Sequence, residues 1–166
     1  DYLQKHPEKD LVFTDLTYID EQGKRFGKRR YTLKGLDKRI QKESPIAHAT
    51  VLFKKSILNK SGMYNSAFDG AEDYDLWIRM HLAGVRFGHI PELLYDYRMQ
   101  SQSTKFRGIT KQLKKVIKVK KHAMQTYTFT IGTTGHLRLL TEIILSHLPD
   151  TMVMRLYLLT HIKKRK

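Results

Sequence analysis

Apolar residues recur along the chain in two patterns, and each pattern predicts a type of secondary structure. Short apolar or alternating runs bounded by turn residues are typical of strands. They occur at 11–14, at 51–53 and at 85–90, the last continuing in an extended conformation to 97. A glycine-containing basic run at 23–30 indicates a hairpin or loop, and 55–60 indicates a helical turn. Strands and helices mix without a tandem repeat, which predicts an α/β fold.

The segment 72–83 has the clearest helical pattern in the first half of the chain. Tyr74, Trp77 and Ile78 share one face at i, i+3 and i+4 spacing. Gly84 then suits the left-handed residue that often follows a helix. We therefore expect a short helix that is anchored by Trp77 and whose N-terminus can be held at the edge of a cleft.

Three carboxylates crowd the start of this helix, namely Glu72, Asp73 and Asp75. A carboxylate at the edge of a cleft suits a proton acceptor, because a general base must first lie within reach of the proton that it removes. The structural alternative is that Glu72 and Asp73 complement the helix dipole while Asp75 pairs with Arg79 one turn later. Composition alone favours the structural alternative, because acids are ordinary in first turns.

Charge divides the chain into two units. Residues 1–104 carry 17 bases and 14 acids, whereas residues 105–166 carry 14 bases and two acids, so the second unit holds +12 of the total of +15. At 166 residues and 40% hydrophobic content the chain can bury one modest core. It has no cysteine, which excludes disulfides and fits a reducing compartment.

The second unit, 105–166, is predicted to be a basic amphipathic helical extension. Apolar positions from Leu113 to Tyr127 follow helical spacing opposite a row of lysines, and further apolar stretches lie at 137–148 and 152–162. Neither stretch reaches the ~20 residues that span a bilayer. The basic face either is solvated while the helices pack on the core or docks on an anionic membrane surface. Nucleic acid is disfavoured, because no nucleic-acid module is recognisable.

Several pieces of the first unit, in order, resemble the second half of a family 2 glycosyltransferase of the GT-A fold. They are the segments 10–15, 20–23, 62–65, 72–77, 84–87 and 94–98, and the similarity extends over roughly 3–104. The resemblance implies the C-terminal, acceptor-side half of a GT-A-like mixed sheet with helices. It also implies that a nucleotide-binding half precedes this region in the complete enzyme, so we expect the chain to be inactive alone.

The resemblance implies that Asp73 is the catalytic base. It would deprotonate a hydroxyl of a glycan or lipid-linked acceptor, which attacks the anomeric carbon of a nucleotide-activated sugar and inverts its configuration. A divalent cation, Mg or Mn, is expected in the complete enzyme, with ligands outside this chain. Although Asp73-Tyr74-Asp75 has the Asp-x-Asp form, it sits inside the base helix and is not interpreted as the metal motif.

The resemblance also suggests five substrate contacts. They are Glu72, His48, Trp77, Arg98 and Gln100. His48 either faces the acceptor or is structural, and Arg98 either faces a phosphate or pairs with Asp96 or Glu92. Gln100 stands where many relatives have a histidine, and because an amide is a poor ligand for a divalent cation we assign it no metal role.

The resemblance further implies a bacterial enzyme of surface polysaccharide or lipid-linked glycan synthesis. It would work in the cytoplasm or peripherally at the inner face of the cell membrane. A homodimer stays open, because an isolated half with an exposed sheet edge can associate to cover it. The alternative function is a basic interaction module that binds anionic membrane or nucleic acid without catalysis.

Overall fold

The computed structural model describes residues 1–99, 108–153 and 155–156. The described elements, in chain order, are α1 (Tyr2–Lys5), β1 (Leu11–Ile19), β2 (Arg25–Arg29), α2 (Leu36–Ile40), β3 (Leu52–Phe53), α3 (Leu58–Ser61), α4 (Glu72–Leu82), β4 (Phe87–Arg98), α5 (Ile109–Thr126) and α6 (Thr133–Leu145). Short 3-10 turns lie at His48–Thr50, Lys55–Ile57 and Ser66–Phe68. This mixture of a four-stranded sheet and helices confirms the predicted α/β class.

The strand β1 is the centre of the sheet. On one edge it pairs in parallel with β4 along its whole length. On the other edge, antiparallel β3 pairs with Leu11 and Val12, and antiparallel β2 pairs with the end of β1 from Leu16 to Ile19. Most residues of β1 are buried, as expected of a strand covered on both edges and both faces. The β1–β2 pairing shows that the basic segment 23–30 forms a hairpin.

The strand β1 is longer than the sequence predicted, and the extended segment predicted up to residue 97 forms the second part of β4. The pattern ended the first strand at residue 14, because Asp15 and Thr17 interrupt the apolar run, yet both are buried within β1. The last strand continues through Pro91, which has no N–H to donate to a ladder. The register along β4 passes from Ile90 directly to Leu93, so that proline lies in a bulge of β4.

The helix α4 lies in the middle of the hydrophobic core. Its residues Leu76, Trp77 and Ile78 have no exposed surface, so the helix is buried on more than the one face that the sequence predicted. The hydroxyl of Tyr74, also fully buried, donates to the carbonyl of Ile40 at 2.6 Å. That bond attaches α4 to α2, a helix that was not predicted from the sequence.

The basic helices α5 and α6 share this core. Ile117, Ala123 and Leu139 belong to the same buried cluster as the residues of α4. Packing of the helices on the core, one of the two interpretations left open, is therefore observed in the described part of 105–166. The predicted boundary at 104 and 105 lies outside the described residues.

Both acids of the basic unit are bound within the fold. Glu142 of α6 lies 2.6 Å from the ammonium of Lys120 in α5, and both side chains are buried. Burial lowers the pKa of Lys120, while the bond to Glu142 opposes that shift. Asp150 accepts hydrogen bonds from the N–H groups of Gly108 and Thr110 and from the Thr110 hydroxyl, so it caps the start of α5.

None of the helices in the described residues combines the length and the apolar character needed to cross a bilayer.

Candidate functional site

A pocket of about 470 Å³ opens beside the first turn of α4. Its described lining comes from the strands β1 and β4, from Arg29 at the end of β2 and nearby Tyr31, from the segment 44–49 before β3, and from α4. The lining residues are Leu16, Tyr18, Arg29, Tyr31, Ser44, Ile46, Ala47, His48, Ala49, Asp73 and Tyr97. Asp73 is the only carboxylate among them.

Asp75, two residues further along α4, points into the protein. Its carboxylate has no exposed surface and lies 2.7 Å from a guanidinium nitrogen of Arg79, as the i, i+4 spacing predicted. The hydroxyl of Tyr127 donates to its other oxygen at 3.2 Å. Arg79 also donates to the carbonyls of Ser61 and Met63. Asp75 is thus a structural residue that joins α4 to two other segments.

Glu72 folds back over the turn that precedes α4. Its carboxylate accepts a hydrogen bond from the N–H of Gly70 at 2.6 Å. This bond satisfies a backbone donor just before the helix and places the negative charge at the positive end of the helix dipole. This placement agrees with the structural alternative, in which Glu72 complements the helix dipole, while the predicted substrate contact of Glu72 stays a prediction.

Asp73 lies between these two acids and faces the pocket. It is half-buried, and one of its oxygens accepts from the N–H of Tyr74 at 2.7 Å. Burial raises the pKa of the Asp73 carboxyl above its usual value, and the charge of Glu72 adds to this rise. The Tyr74 N–H and His48 oppose it. A carboxylate that is incompletely solvated and has a raised pKa is suited to accept a proton.

His48 lies next to Asp73 in the pocket lining. Its Nε2 is 2.8 Å from the hydroxyl of Tyr64, and its ring meets the ring of Trp77 edge-on at a centroid distance of 5.8 Å. Trp77 itself has no exposed surface and is absent from the described lining of the pocket. In this structure Trp77 supports His48 from the core side, and a direct substrate contact by Trp77 stays a prediction.

Arg98 is absent from the described lining of this pocket. Arg98, the last residue of β4, donates to the carbonyls of Asp20 and Glu21 at 2.9 and 2.8 Å and so holds the turn between β1 and β2. Asp96, one of its predicted partners, instead lies 3.5 Å from Arg25. A phosphate contact by Arg98 stays a prediction, and Gln100 lies outside the described residues.

Sequence reasoning missed the aromatic part of the lining. Tyr18 and Tyr97 are register partners on β1 and β4, and their rings pack edge-on at 6.0 Å. They are far apart in the sequence, so only the parallel pairing brings them together. Aromatic rings with a polar hydroxyl suit a sugar, because they offer both an apolar face and a hydrogen-bonding group.

Tyr31 is held in the lining by buried Asp15. The Tyr31 N–H donates to Asp15 at 2.9 Å, and His89 and Arg30 lie 2.8 and 3.0 Å from the same carboxylate. Although burial opposes ionisation of Asp15, these three contacts hold its pKa below the usual value. Asp15 is therefore an ionised residue that positions one wall of the pocket.

The described residues contain no group of three or more histidine, cysteine or acidic side chains that could hold a metal ion. The Asp-x-Asp string at the start of α4 does not fit a metal either. Asp75 is engaged with Arg79 and Tyr127, and it lies on the buried side of the helix.

Comparison with known proteins relates the chain to glycosyltransferases. No protein-family model matches it. It is 32% identical over 114 residues to an uncharacterized glycosyltransferase of Methanocaldococcus jannaschii, which covers 67% of this chain and 39% of that relative. It is 31% identical over 98 residues to the O-antigen biosynthesis glycosyltransferase WbnJ of Escherichia coli, covering 57% and 38%.

A third relative is the amylovoran biosynthesis glycosyltransferase AmsE of Erwinia amylovora, 29% identical over 101 residues that make up 60% of this chain and 38% of AmsE. The matched part thus spans about 40% of the length of these relatives. The similarity to glycosyltransferases agrees with the general family suggested by the sequence motifs.

The two aspartates of α4 are predicted to differ in their effect on stability. Asp75→Ala leaves Arg79 without its buried partner and should lower the free energy of unfolding by about 3–5 kcal/mol. Asp73→Asn should leave the free energy of unfolding unchanged or slightly higher at neutral pH, because a raised pKa means that the fold disfavours ionised Asp73. Urea unfolding at pH 7 measures both values. Equal losses would contradict the assignment of Asp75 as the structural acid.

Proposed function

We propose that this chain supplies the acceptor-side half of an inverting family 2 glycosyltransferase of the GT-A fold, with Asp73 as the general base. The observation that carries the proposal is the placement of Asp73 as the only carboxylate in the described lining of a pocket walled by tyrosines. The other two acids of the first turn already have partners within the fold. The similarity to glycosyltransferases supports the same reaction class.

In the proposed reaction Asp73 accepts the proton of an acceptor hydroxyl. The acceptor oxygen forms a bond to the anomeric carbon of a nucleotide-activated sugar while the bond from that carbon to the diphosphate oxygen breaks. Attack from the side opposite the leaving group inverts the configuration in one displacement. The bonding electrons leave with the nucleoside diphosphate, and the proton stays on Asp73 until solvent removes it.

His48 is proposed to tune and orient this base. Its ring is fixed by Tyr64 on one side and by Trp77 beneath it. Positive charge on His48 stabilises ionised Asp73, since the histidine lowers the pKa of that carboxyl. Because His48 lines the pocket, it can also contact an acceptor hydroxyl there. This is the substrate role that the sequence suggested.

Binding of the nucleotide is assigned to the part of the complete enzyme that this chain lacks, so the chain alone is proposed to be inactive. A divalent cation, Mg or Mn, would belong to that part as well. The residues described here do not fit a metal site, and no step of the proposed reaction is derived through one.

The complete enzyme is proposed to lie in the cytoplasm, held peripherally at the inner face of the cell membrane. The helix α5 exposes Lys111, Lys114, Lys118 and Lys121, while the two acids of the basic unit are bound within the fold. Each lysine near an anionic surface contributes on the order of 1 kcal/mol to binding. This charge distribution is the observation that favours a membrane role beside catalysis.

Asp73→Asn is predicted to abolish transfer in the complete enzyme while the protein stays folded. Loss of a positioned base should lower kcat about 10²–10⁴-fold. The measurement is release of nucleoside diphosphate with a polysaccharide or lipid-linked acceptor. Asp69→Asn, in the turn just before α4 and 96% exposed at its side chain, is the matched control and should keep full activity. Unchanged turnover in Asp73→Asn would refute the proposed base.

The acidic limb of the pH–rate profile is predicted to reflect the pKa of Asp73. Activity should fall as the pH drops through a pKa that is higher than the 3.8 of an ordinary aspartate, because burial raises the pKa of Asp73. His48→Asn removes a charge that lowers this pKa, so the limb should move to higher pH. His81→Asn, at the other end of α4, should leave the profile in place. If His48→Asn lowered activity by the same factor at every pH, His48 would have a purely structural role.

Membrane association of the complete protein is predicted to depend on the lysines of α5. Cell fractionation at low salt should find it with the membranes, and high salt should release it, because salt screens the attraction. The double substitution Lys114→Glu and Lys121→Glu should lower the bound share about tenfold or more. Lys60→Glu, on the exposed side of α3, is the control. A protein that is fully soluble at low salt would contradict this prediction.

A further inference from the structure

A second pocket of about 890 Å³ adjoins the one that contains Asp73. Tyr18 and Arg29 line both pockets, so these two side chains form the boundary between them. The second pocket is bounded by the β1–β2 hairpin on one side and by α5, α6 and the helical residues 150–153 and 155–156 on the other. A molecule whose end reaches Asp73 can therefore extend past Arg29 into a larger space.

The far wall of the second pocket is apolar. It is formed by Ile109, Leu113, Leu145, Val153 and Leu156. These side chains come from α5, from the end of α6 and from the helical segment that follows it, so the wall forms only where α5 packs near the other two. A soluble glycan presents mostly hydroxyl groups to such an aliphatic wall, whereas a hydrocarbon chain would cover it and remove it from water.

The boundary between the two pockets is cationic. Arg29 of β2 lies at this boundary with its guanidinium 5.1 Å from the centroid of the Tyr31 ring, and Lys28 lines the second pocket beside it. Two acids, Glu43 and Glu142, also line the second pocket. Glu142 is already bonded to Lys120 and Arg138, so its charge is compensated within the fold.

We propose that the second pocket binds the hydrocarbon chain of an acceptor linked to a lipid phosphate, with the phosphate at Arg29 and Lys28 and the sugar at Asp73. The inference rests on the proposed function, which leaves open whether the acceptor is a free glycan or a lipid-linked one. Three neighbouring features support it, in this spatial order: the proposed base, a pair of cations and an apolar pocket. A lipid phosphate carrying a sugar has matching parts in the same order.

Binding of farnesyl phosphate to the 166-residue chain, measured by isothermal titration calorimetry below the micelle concentration, tests the pocket without any need for turnover. Farnesyl phosphate should bind at least tenfold more tightly than farnesol, and inorganic phosphate should not bind measurably. Arg29→Gln should remove the preference for the phosphate over the alcohol. Tighter or equal binding of inorganic phosphate would overturn the proposal, because it would indicate a simple anion site.

A matched pair of substitutions on α6 tests the position of the chain. Thr141 lines the second pocket and is exposed, so Thr141→Trp should fill the pocket without disturbing the core and should weaken farnesyl phosphate binding at least tenfold. Leu140, the adjacent residue, is 54% exposed and absent from the described lining, so Leu140→Trp should bind like the unchanged chain. Equal weakening in both variants, or in neither, would overturn the proposal.

The same variants separate this inference from the proposed base. Asp73→Asn in the chain should bind farnesyl phosphate normally, because Asp73 is assigned to chemistry at the other end. In the complete enzyme, Thr141→Trp should raise KM for a lipid-linked acceptor and leave transfer to a free glycan acceptor unchanged. If Asp73→Asn stops transfer while Thr141→Trp has no effect on either acceptor, the base stands and the pocket assignment falls.

Discussion

The buried ion pair between Asp75 and Arg79 fixes the orientation of α4, and the candidate site depends on that orientation. Arg79 donates to carbonyls at and just after the end of α3, and Tyr127 after α5 donates to Asp75, so the ion pair joins α4 to two other segments. Residues two positions apart on a helix differ by about 200° around its axis. A helix that turns Asp75 into the core must therefore turn Asp73 out of it, toward the pocket.

The start of α4 shows how neighbouring acids take different roles because their surroundings differ. Glu72 accepts a hydrogen bond from the N–H of Gly70 just before the helix. The charge of Asp75 is balanced in the core by Arg79. Asp73 has only a local backbone donor and the influence of nearby His48, so its ionised form is the least compensated of the three. An incompletely compensated carboxylate at a pocket can gain from accepting a proton, whereas the other two would lose an existing bond.

The sequence predicted those elements whose signal is local. The bounds of α4 followed from its apolar spacing, its acidic first turn and Gly84, and they agree with the structure to within a residue. The second half of β1 could not be predicted, because buried Asp15 looks like a strand end until Arg30, Tyr31 and His89 are known to surround it. Such contacts are set by the fold and leave no periodic pattern.

The same limit applied to the site. Asp73 could be singled out from the acidic cluster and the family resemblance, but the wall formed by Tyr18, Tyr97 and Arg29 could not. Tyr18 and Tyr97 meet only because β1 and β4 pair in parallel with one particular register. Arg29 reaches both pockets only because β2 folds back on β1 as a hairpin, which the sequence left undecided between a hairpin and a loop.

The positions of the two acids determine how much of the positive charge of the basic unit stays uncompensated at its surface. Because Glu142 and Asp150 are used to bind Lys120 and to cap α5, they do little to neutralise the outer surface of 105–166. The helices also form the apolar wall of a pocket that meets the Asp73 pocket at Arg29 of β2. A purely structural extension would need the packing but not the excess of exposed lysines, and a purely electrostatic one would need the lysines but not the pocket. The proposed membrane-held anionic acceptor would use both features at once.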